Sequence, residues 1–197
     1  MAIVVADMSV SLDGFIAGID DQVGPLFDWY QVGPVTTPSA DDRWSFQTDD
    51  ASAQELREAL ISTGALICGR RLFDLTQGWG GRHPIGCHVF VVTHTVPQGW
   101  PHDDAPFTFV TDGVESAVAQ AKALAGDKVV AVATPTITQQ CLNAGLLDVI
   151  RLNLVPVLLG EGIRWFDHLR NTPVMLDDPK VTEGMRVTHL EYRVRRS

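Results

Sequence analysis

Residues 129–166, VVAVATPTITQQCLNAGLLDVIRLNLVPVLLGEGIRWF, decide the fold class of this chain. A short apolar run, residues 129–133, meets Thr134-Pro135-Thr136. A helix-like segment follows, then a second apolar run, residues 149–159, that ends in Gly160-Glu161-Gly162. The pattern predicts strand, helix and strand, with a glycine-bracketed turn at the end. Proline suits the first helical position, which makes Thr134 the expected N-cap. Such a junction aims free backbone N–H groups and the positive end of the helix dipole beyond the strand ends, where an anion is favoured. Ala133-Thr134-Pro135-Thr136 is therefore the expected wall of a phosphate site. It is a wall with less room than glycine gives, since Pro135 brings no N–H and Thr134 carries a branched side chain whose hydroxyl competes for a backbone donor.

The rest of the chain extends this alternation. Residues 3–8 read as a first buried strand, Ser11-Leu12-Asp13-Gly14 as a turn, and residues 15–17 as a short extended piece. Residues 20–50 read as one long irregular segment with Gly24-Pro25, Gly33-Pro34 and Pro38. Ser52 and Glu55 have capping-box spacing, which predicts a helix from Ser52 to about residue 63 with Gly64 as its stop. Residues 65–68 predict a strand, and Gly69-Arg70-Arg71 opens a short helix through Leu75. Residues 78–81 form a glycine-rich loop, and residues 88–93 and 107–111 two further strands. Asp112 is the expected cap of an Ala-rich helix that stops at Gly126. Residues 181–195 alternate like a hairpin, with its turn at Glu183-Gly184. Strands alternating with helices, then a strand-rich end, predict an α/β domain with a mostly parallel sheet and antiparallel C-terminal strands. At 197 residues the chain fits a single domain, 1–197.

Composition excludes several function classes. A net charge of −9 argues against nucleic acid and anionic membranes as partners. No apolar run approaches the roughly 18 residues of a membrane span. The start, MAIVVADMSV, lacks a basic region and a cleavage site, and the three cysteines form no C-x-x-C pair. A reducing cytoplasm is the expected setting. The six histidines have no metal-ligand spacing, so no metal site is expected. The acidic pairs at 20–21, 41–42, 49–50, 103–104 and 177–178 read as solvated turns.

Three strand exits are candidates for binding. Gly69 permits a tight turn, and Arg70 and Arg71 suit bidentate contacts to a phosphate; a solvated basic pair is the plainer reading. Thr93 and His94 end an apolar strand and can meet a ribose phosphate or an adenine. Ala133-Thr134-Pro135-Thr136 is the third exit. Trp29 and Tyr30 are candidates to line a pocket over a flat heterocycle, or to anchor their loop on the core. Asp13 is the one acid expected near the site, there to orient a substrate or to cap its turn.

Taken together, four segments resemble the dihydrofolate-reductase-like superfamily. They are MSVSLDGFIAG at 8–18, LICGRRLFD at 66–74, VFVVTH at 89–94 and GLLDVIRLNLVPVLLGEGIRWF at 145–166. More closely, they are similar to the C-terminal reductase domain of bifunctional riboflavin-biosynthesis enzymes and its stand-alone bacterial relatives. The resemblance covers nearly the whole chain, and no zinc-deaminase signature accompanies it. It implies a three-layer fold with helices on both faces of a mixed sheet, commonly a homodimer, with NADPH at the carboxyl ends of the strands. It implies that Val10, Gly14 and Ile16 lie against the nicotinamide end and that Gly160 and Gly162 lie near its face. It places Gly69, Arg70, Arg71, Thr93 and His94 around the adenosine 2′-phosphate. Relatives carry glycines where this chain has Ala133-Thr134-Pro135. The activity implied is NADPH-dependent reduction of a pteridine- or aminopyrimidine-like substrate, similar to 5-amino-6-(5-phosphoribosylamino)uracil reductase or dihydrofolate reductase. The changed junction keeps a second reading open, a non-catalytic or cofactor-shifted dimeric ligand-binding homologue.

Overall fold

The structure, a computed structural model, describes residues 2–100, 102 and 104–196. Asp103, expected in a solvated turn, lies outside them. In chain order the elements are β1 (Val4–Ser11), β2 (Phe15–Ala17), a 3-10 helix (Gly24–Tyr30), β3 (Val35–Pro38), β4 (Ser45–Thr48) and α1 (Asp50–Ser62). Then come β5 (Thr63–Gly69), α2 (Arg70–Leu75), a second 3-10 turn (Gln77–Gly81), β6 (His88–Val92) and β7 (Phe107–Val110). Next are α3 (Val114–Ala125), β8 (Val129–Val132), α4 (Pro135–Asn143), β9 (Val149–Val155), β10 (Ile163–Arg164), β11 (Lys180–Gly184) and β12 (Val187–Arg193).

The central sheet runs β11-β12-β9-β1-β8-β5-β6-β7. From β9 to β7 every pair is parallel, and β12 and β11 are antiparallel additions at one edge. This is the mostly parallel sheet with antiparallel C-terminal strands that the alternating pattern predicts. A parallel strand buried on both faces needs apolar residues at odd and even positions alike, and β5 shows why. Its Ala65 and Ile67 join the core beneath α3 and α4, while Leu66 and Cys68 pack on the other face with Phe73 of α2. The three cysteines are free thiols; Cys68 and Cys141 are buried on opposite faces, and Cys87 is half-buried. Burial pushes each thiol up to about 12. No described helix is long and apolar enough to cross a membrane.

Local signals misplace several boundaries. Residues 20–50 are not one irregular segment: they hold the first 3-10 helix and the β3–β4 pair, a two-stranded sheet apart from the main one. The N-cap of α1 is Asp49, not Ser52; its carboxylate accepts from Ala51 N and Ser52 N. Glu55 does not reach back to the cap, because Thr182 and Lys180 of β11 hold its carboxylate. Asp112 does not cap α3; Gly113 is the N-cap, at φ 107°, and no side chain takes part. Gly64 is not a helix stop but part of β5, where a Cβ would crowd Ala125 and Lys128. The expected strand 149–159 ends at Val155, since Pro156 offers no N–H to the ladder. The hairpin turns at Met185-Arg186, two residues past the expected place.

Candidate active site

Beside the face of the sheet that carries α1 and α2 lies a cleft of about 1340 Å³. It has two ends of different construction. One is a rim of strand exits and helix starts; the other is a floor of side chains standing on β1, β9 and β12.

The rim brings together the three predicted exits. Gly69, Arg70 and Arg71 line it from the start of α2, and Thr93 and His94 from the end of β6. Ala133, Thr134, Pro135 and Thr136 line it from the start of α4, and Ile16 from β2. Thr134 is the N-cap of α4, as expected, yet its side chain makes no capping bond. Its hydroxyl instead accepts from Gly69 N at 3.1 Å, tying one strand exit to the next. The donor it occupies is thus on α2's cap, and the first turn of α4 keeps its own N–H groups for the cleft. Both arginines are already engaged. Arg70 Nε donates to both carboxylate oxygens of Asp74, at 2.7 and 2.9 Å, and Arg70 Nη1 to the Thr95 carbonyl. Arg71 reaches across to Asp21, in the segment after β2, with contacts of 2.5 to 3.0 Å. The Thr93 hydroxyl is spent on the Thr95 carbonyl.

Other predicted residues stand elsewhere. Val10, Asp13, Gly14, Gly160 and Gly162 do not line the cleft. Val10 is buried in the core beneath α3 and α4. Asp13 accepts from the Ser11 hydroxyl at 2.6 Å, from Leu159 N at 3.2 Å and from Gly160 N at 2.7 Å. The Ser11 hydroxyl, then the backbone donors, hold its carboxyl down at about 2. Asp13 therefore staples its turn to the loop before Gly160, and both its oxygens are acceptors. Gly162 sits at φ 149°, where a Cβ would strike the Ala17 carbonyl, so that glycine is required by the β2–β10 contact. Trp29 is 2% exposed; its indole N–H donates to Ser9 Oγ, and its ring stands edge-on to His189. It anchors its helix while still lining the cleft. Tyr30, packed between Trp29, Phe27 and Phe46, is the aromatic left half-buried at the cleft. Burial, with the Asp7 charge adding, pushes its phenol up.

The floor is a set of polar residues that none of the local motifs singles out. Register aligns Asp7, Arg151 and Glu191 across three adjacent strands, and Ser9, Asn153 and His189 in the next row on the same face. Arg151 Nε donates to Glu191 at 2.7 Å. Asn153 bridges the rows, with its amide 2.8 Å from Asp7 Oδ1 and 2.7 Å from His189 Nδ1. His189 Nε2 lies 3.0 Å from the Ser52 hydroxyl, and that hydroxyl donates to Asp49 at 2.8 Å. Burial pushes the Asp7 carboxyl above its ordinary value, against the pull of Arg151 and the Asn153 bond. Burial pushes His189 below its ordinary value, with Glu55 and Asp49 pulling the other way. A signal for this floor does exist in the sequence. Three apolar strands each carry polar residues two apart: Asp7 and Ser9, Arg151 and Asn153, His189 and Glu191. Period two puts each pair on one face, but only the register shows that the three faces coincide.

Comparison with known proteins bears on this arrangement. A putative riboflavin biosynthesis protein from Shewanella sp. PV-4 superposes over 100% of both chains, at 21% identity and TM-score 0.69. Dihydrofolate reductase from Enterococcus faecalis, solved with NADP(H), covers 98% of this chain and 97% of its own, at 14% identity and TM-score 0.59. The diaminohydroxyphosphoribosylaminopyrimidine deaminase/5-amino-6-(5-phosphoribosylamino)uracil reductase of Thermotoga maritima matches 98% of this chain with 57% of its own length, at 14% identity and TM-score 0.59. At such identities these likenesses establish a shared dihydrofolate-reductase-like fold. No curated protein matches the sequence. The family profile described as the RibD C-terminal domain matches residues 2–190, and on that match the chain belongs to the RibD C-terminal domain family.

Proposed function

We propose that the chain is a nicotinamide-nucleotide-dependent reductase of a flat, nitrogen-rich heterocycle of the pteridine or aminopyrimidine kind. The observation that carries this reading is the joining of two unlike ends in one cleft. The rim offers two helix starts and two guanidinium groups to a phosphate-bearing nucleotide. The floor offers hydrogen-bonding side chains to a planar ring beneath Tyr30. The rim residues fit such a nucleotide: the first turn of α4, with no side-chain cap, holds donors suited to a pyrophosphate, and Arg70 and Arg71 line the rim with guanidinium groups suited to bidentate contacts with a 2′-phosphate. When bound there, the dihydronicotinamide supplies a hydride. The chain itself aligns the ring, excludes water and holds a proton at the floor.

One observation favours the second reading, a cofactor-shifted or non-catalytic binding protein. Asp74 and Asp21 already occupy the two guanidinium groups that a 2′-phosphate needs. Calorimetric titration with NADPH and NADH separates the two. Micromolar NADPH binding that Arg70→Ala weakens about tenfold more than NADH binding supports the reductase, since one lost charge-assisted contact is worth about 1.4 kcal/mol or more. No binding at millimolar NADPH sinks it. The homodimer that the resemblance implies is also a proposal, and light scattering on the purified chain decides it.

A further inference from the structure

The hydrogen bonds of the floor form one unbroken line: Asp7, Asn153, His189, Ser52, Asp49. Proton counting along this line is constrained from its outer end. The Asp49 carboxylate caps α1, accepting from Ala51 N, Ser52 N and Met185 N. Burial works to raise its carboxyl, but the bonds from Met185, Ser52 and the backbone outweigh it and hold it below the ordinary range. Asp49 is therefore an anion, and the single Ser52 proton goes to it, as the charge-assisted bond. The Ser52 oxygen then faces His189 Nε2 with a lone pair, so Nε2 must carry a hydrogen. Gly184 leaves room for this contact, since a Cβ there would strike the Ser52 oxygen and crowd Nε2.

What remains is the inner half of the line. In one state His189 Nδ1 is also protonated; it donates to Asn153 Oδ1, Asn153 Nδ2 donates to Asp7, and Asp7 is ionised. In the other state His189 Nδ1 is bare. The Asn153 amide is then turned over: its nitrogen donates to Nδ1 and its oxygen faces Asp7 Oδ1. Two oxygens at 2.8 Å need a hydrogen between them, so Asp7 is protonated. Each state satisfies every member, and each contains one proton beyond the Nε2 hydrogen. A state with none leaves a pair of acceptors face to face, while a state with two is paired only with Asp7 protonated on Oδ2 and keeps an imidazolium where burial opposes it.

We infer that Asp7 and His189 hold one proton between them through the Asn153 side-chain amide. Asp7 thereby shows the cleft either a neutral acid or a carboxylate while the charge of the buried line stays constant. Burial of both groups favours the neutral pair in the ligand-free protein, against Arg151 beside Asp7 and Glu55 and Asp49 beside His189. Asp7 faces Arg151 on β9, Glu191 on β12, Glu55 on α1 and Tyr30 on the 3-10 helix. His189 is 6% exposed, edge-on to Trp29, with Glu55, Ser52 and Asp49 of the α1 region beside it. Asp7 lines the cleft, and His189 and Asn153 are positioning residues that hold its proton. Its bearing on reduction rests on the function proposed above; the proton count does not.

The test uses the ligand-free, full-length chain with nitrogen-15 in its histidine rings, at pH 7. The expected His189 signals are a protonated Nε2 and a bare Nδ1. They accompany an infrared carbonyl band of a protonated acid that disappears in Asp7→Asn. An imidazolium with no such band also leaves one proton on the pair and supports the inference. A bare Nδ1 with no acid band, an imidazolium together with the band, or a bare Nε2 overturns it. The nitrogen spectrum is taken on the unaltered protein, so it stands even where Asp7→Asn folds poorly. Because no cofactor is present, failure here leaves the reductase reading intact, and failure of NADPH to bind leaves the shared proton intact.

Discussion

The rim and the floor of the cleft solve opposite problems. The rim gathers its donors from backbone at helix starts and from arginines at the protein surface, where each ion pair is wet and exchangeable. The Arg71 side chain is 70% exposed, and exposed pairs contribute at most about 1 kcal/mol. The floor gathers its groups from side chains on three strands, half-buried or buried at the base of the cleft, where hydrogen bonds tie one member to the next. A rim can trade one carboxylate for a phosphate at small cost. A floor cannot lose one member without stranding its neighbours.

Substitutions can break or sharpen that contrast. The largest effect is expected at the centre of the floor. Asn153→Leu leaves Asp7 and His189 without their bridging amide, and urea unfolding should show a loss of about 3 kcal/mol, the cost of buried groups deprived of partners. A loss below about 1 kcal/mol would mean the floor is as loose as the rim. At the rim, Thr134→Val removes only the acceptor for Gly69 N, and about 1 kcal/mol is expected in the same assay. Asp21→Asn should change stability by a few tenths of a kcal/mol while tightening NADPH about threefold, because Arg71 no longer has a competing carboxylate. Unchanged or weaker binding breaks the idea that Asp21 competes for that cation.

The smallest effect is confined to acid. Asp13 has its folded carboxyl held at about 2, below the ordinary 3.8, so its contribution is present above pH 4 and fades as pH falls toward 2. Asp13→Asn should flatten that acid limb of the stability curve and leave the neutral range parallel to the parent. An unchanged limb would show that the bonds from Ser11, Leu159 and Gly160 do not discriminate between the two charge forms.

The same contrast explains how much of the molecule is legible in the sequence. The rim is made of consecutive residues with local causes: a glycine before two arginines, a threonine before a helical proline. Such features are readable in place, and all three exits do meet in one cleft. The sheet is readable for the same reason, since apolar runs and their spacing are local. The floor depends on register between β1, β9 and β12, which joins residues as far apart as Asp7 and Asn153, 146 positions along the chain, so Asp7 and His189 look unremarked until the strands are aligned. Capping errors have a related cause. Ser52 has the right spacing to Glu55, but β11 draws Glu55 away and Asp49 takes the cap. Asp13 is legible only as an acid in the turn after the first strand; its oxygens are consumed by Ser11, Leu159 and Gly160.

Cys68 and Cys141 carry a consequence for how this molecule is watched. Each thiol lies in the core on a different side of the sheet, and each is held far from the thiolate that alkylating reagents attack. Labelling of either is therefore gated by opening of the helix layer above it. Alkylation followed by peptide mass analysis reads two clocks in one tube: Cys68 times the lifting of α2, beside the cleft, and Cys141 times the release of α3 and α4 behind it. A bound nucleotide at the rim should slow the first clock and leave the second running at its own rate.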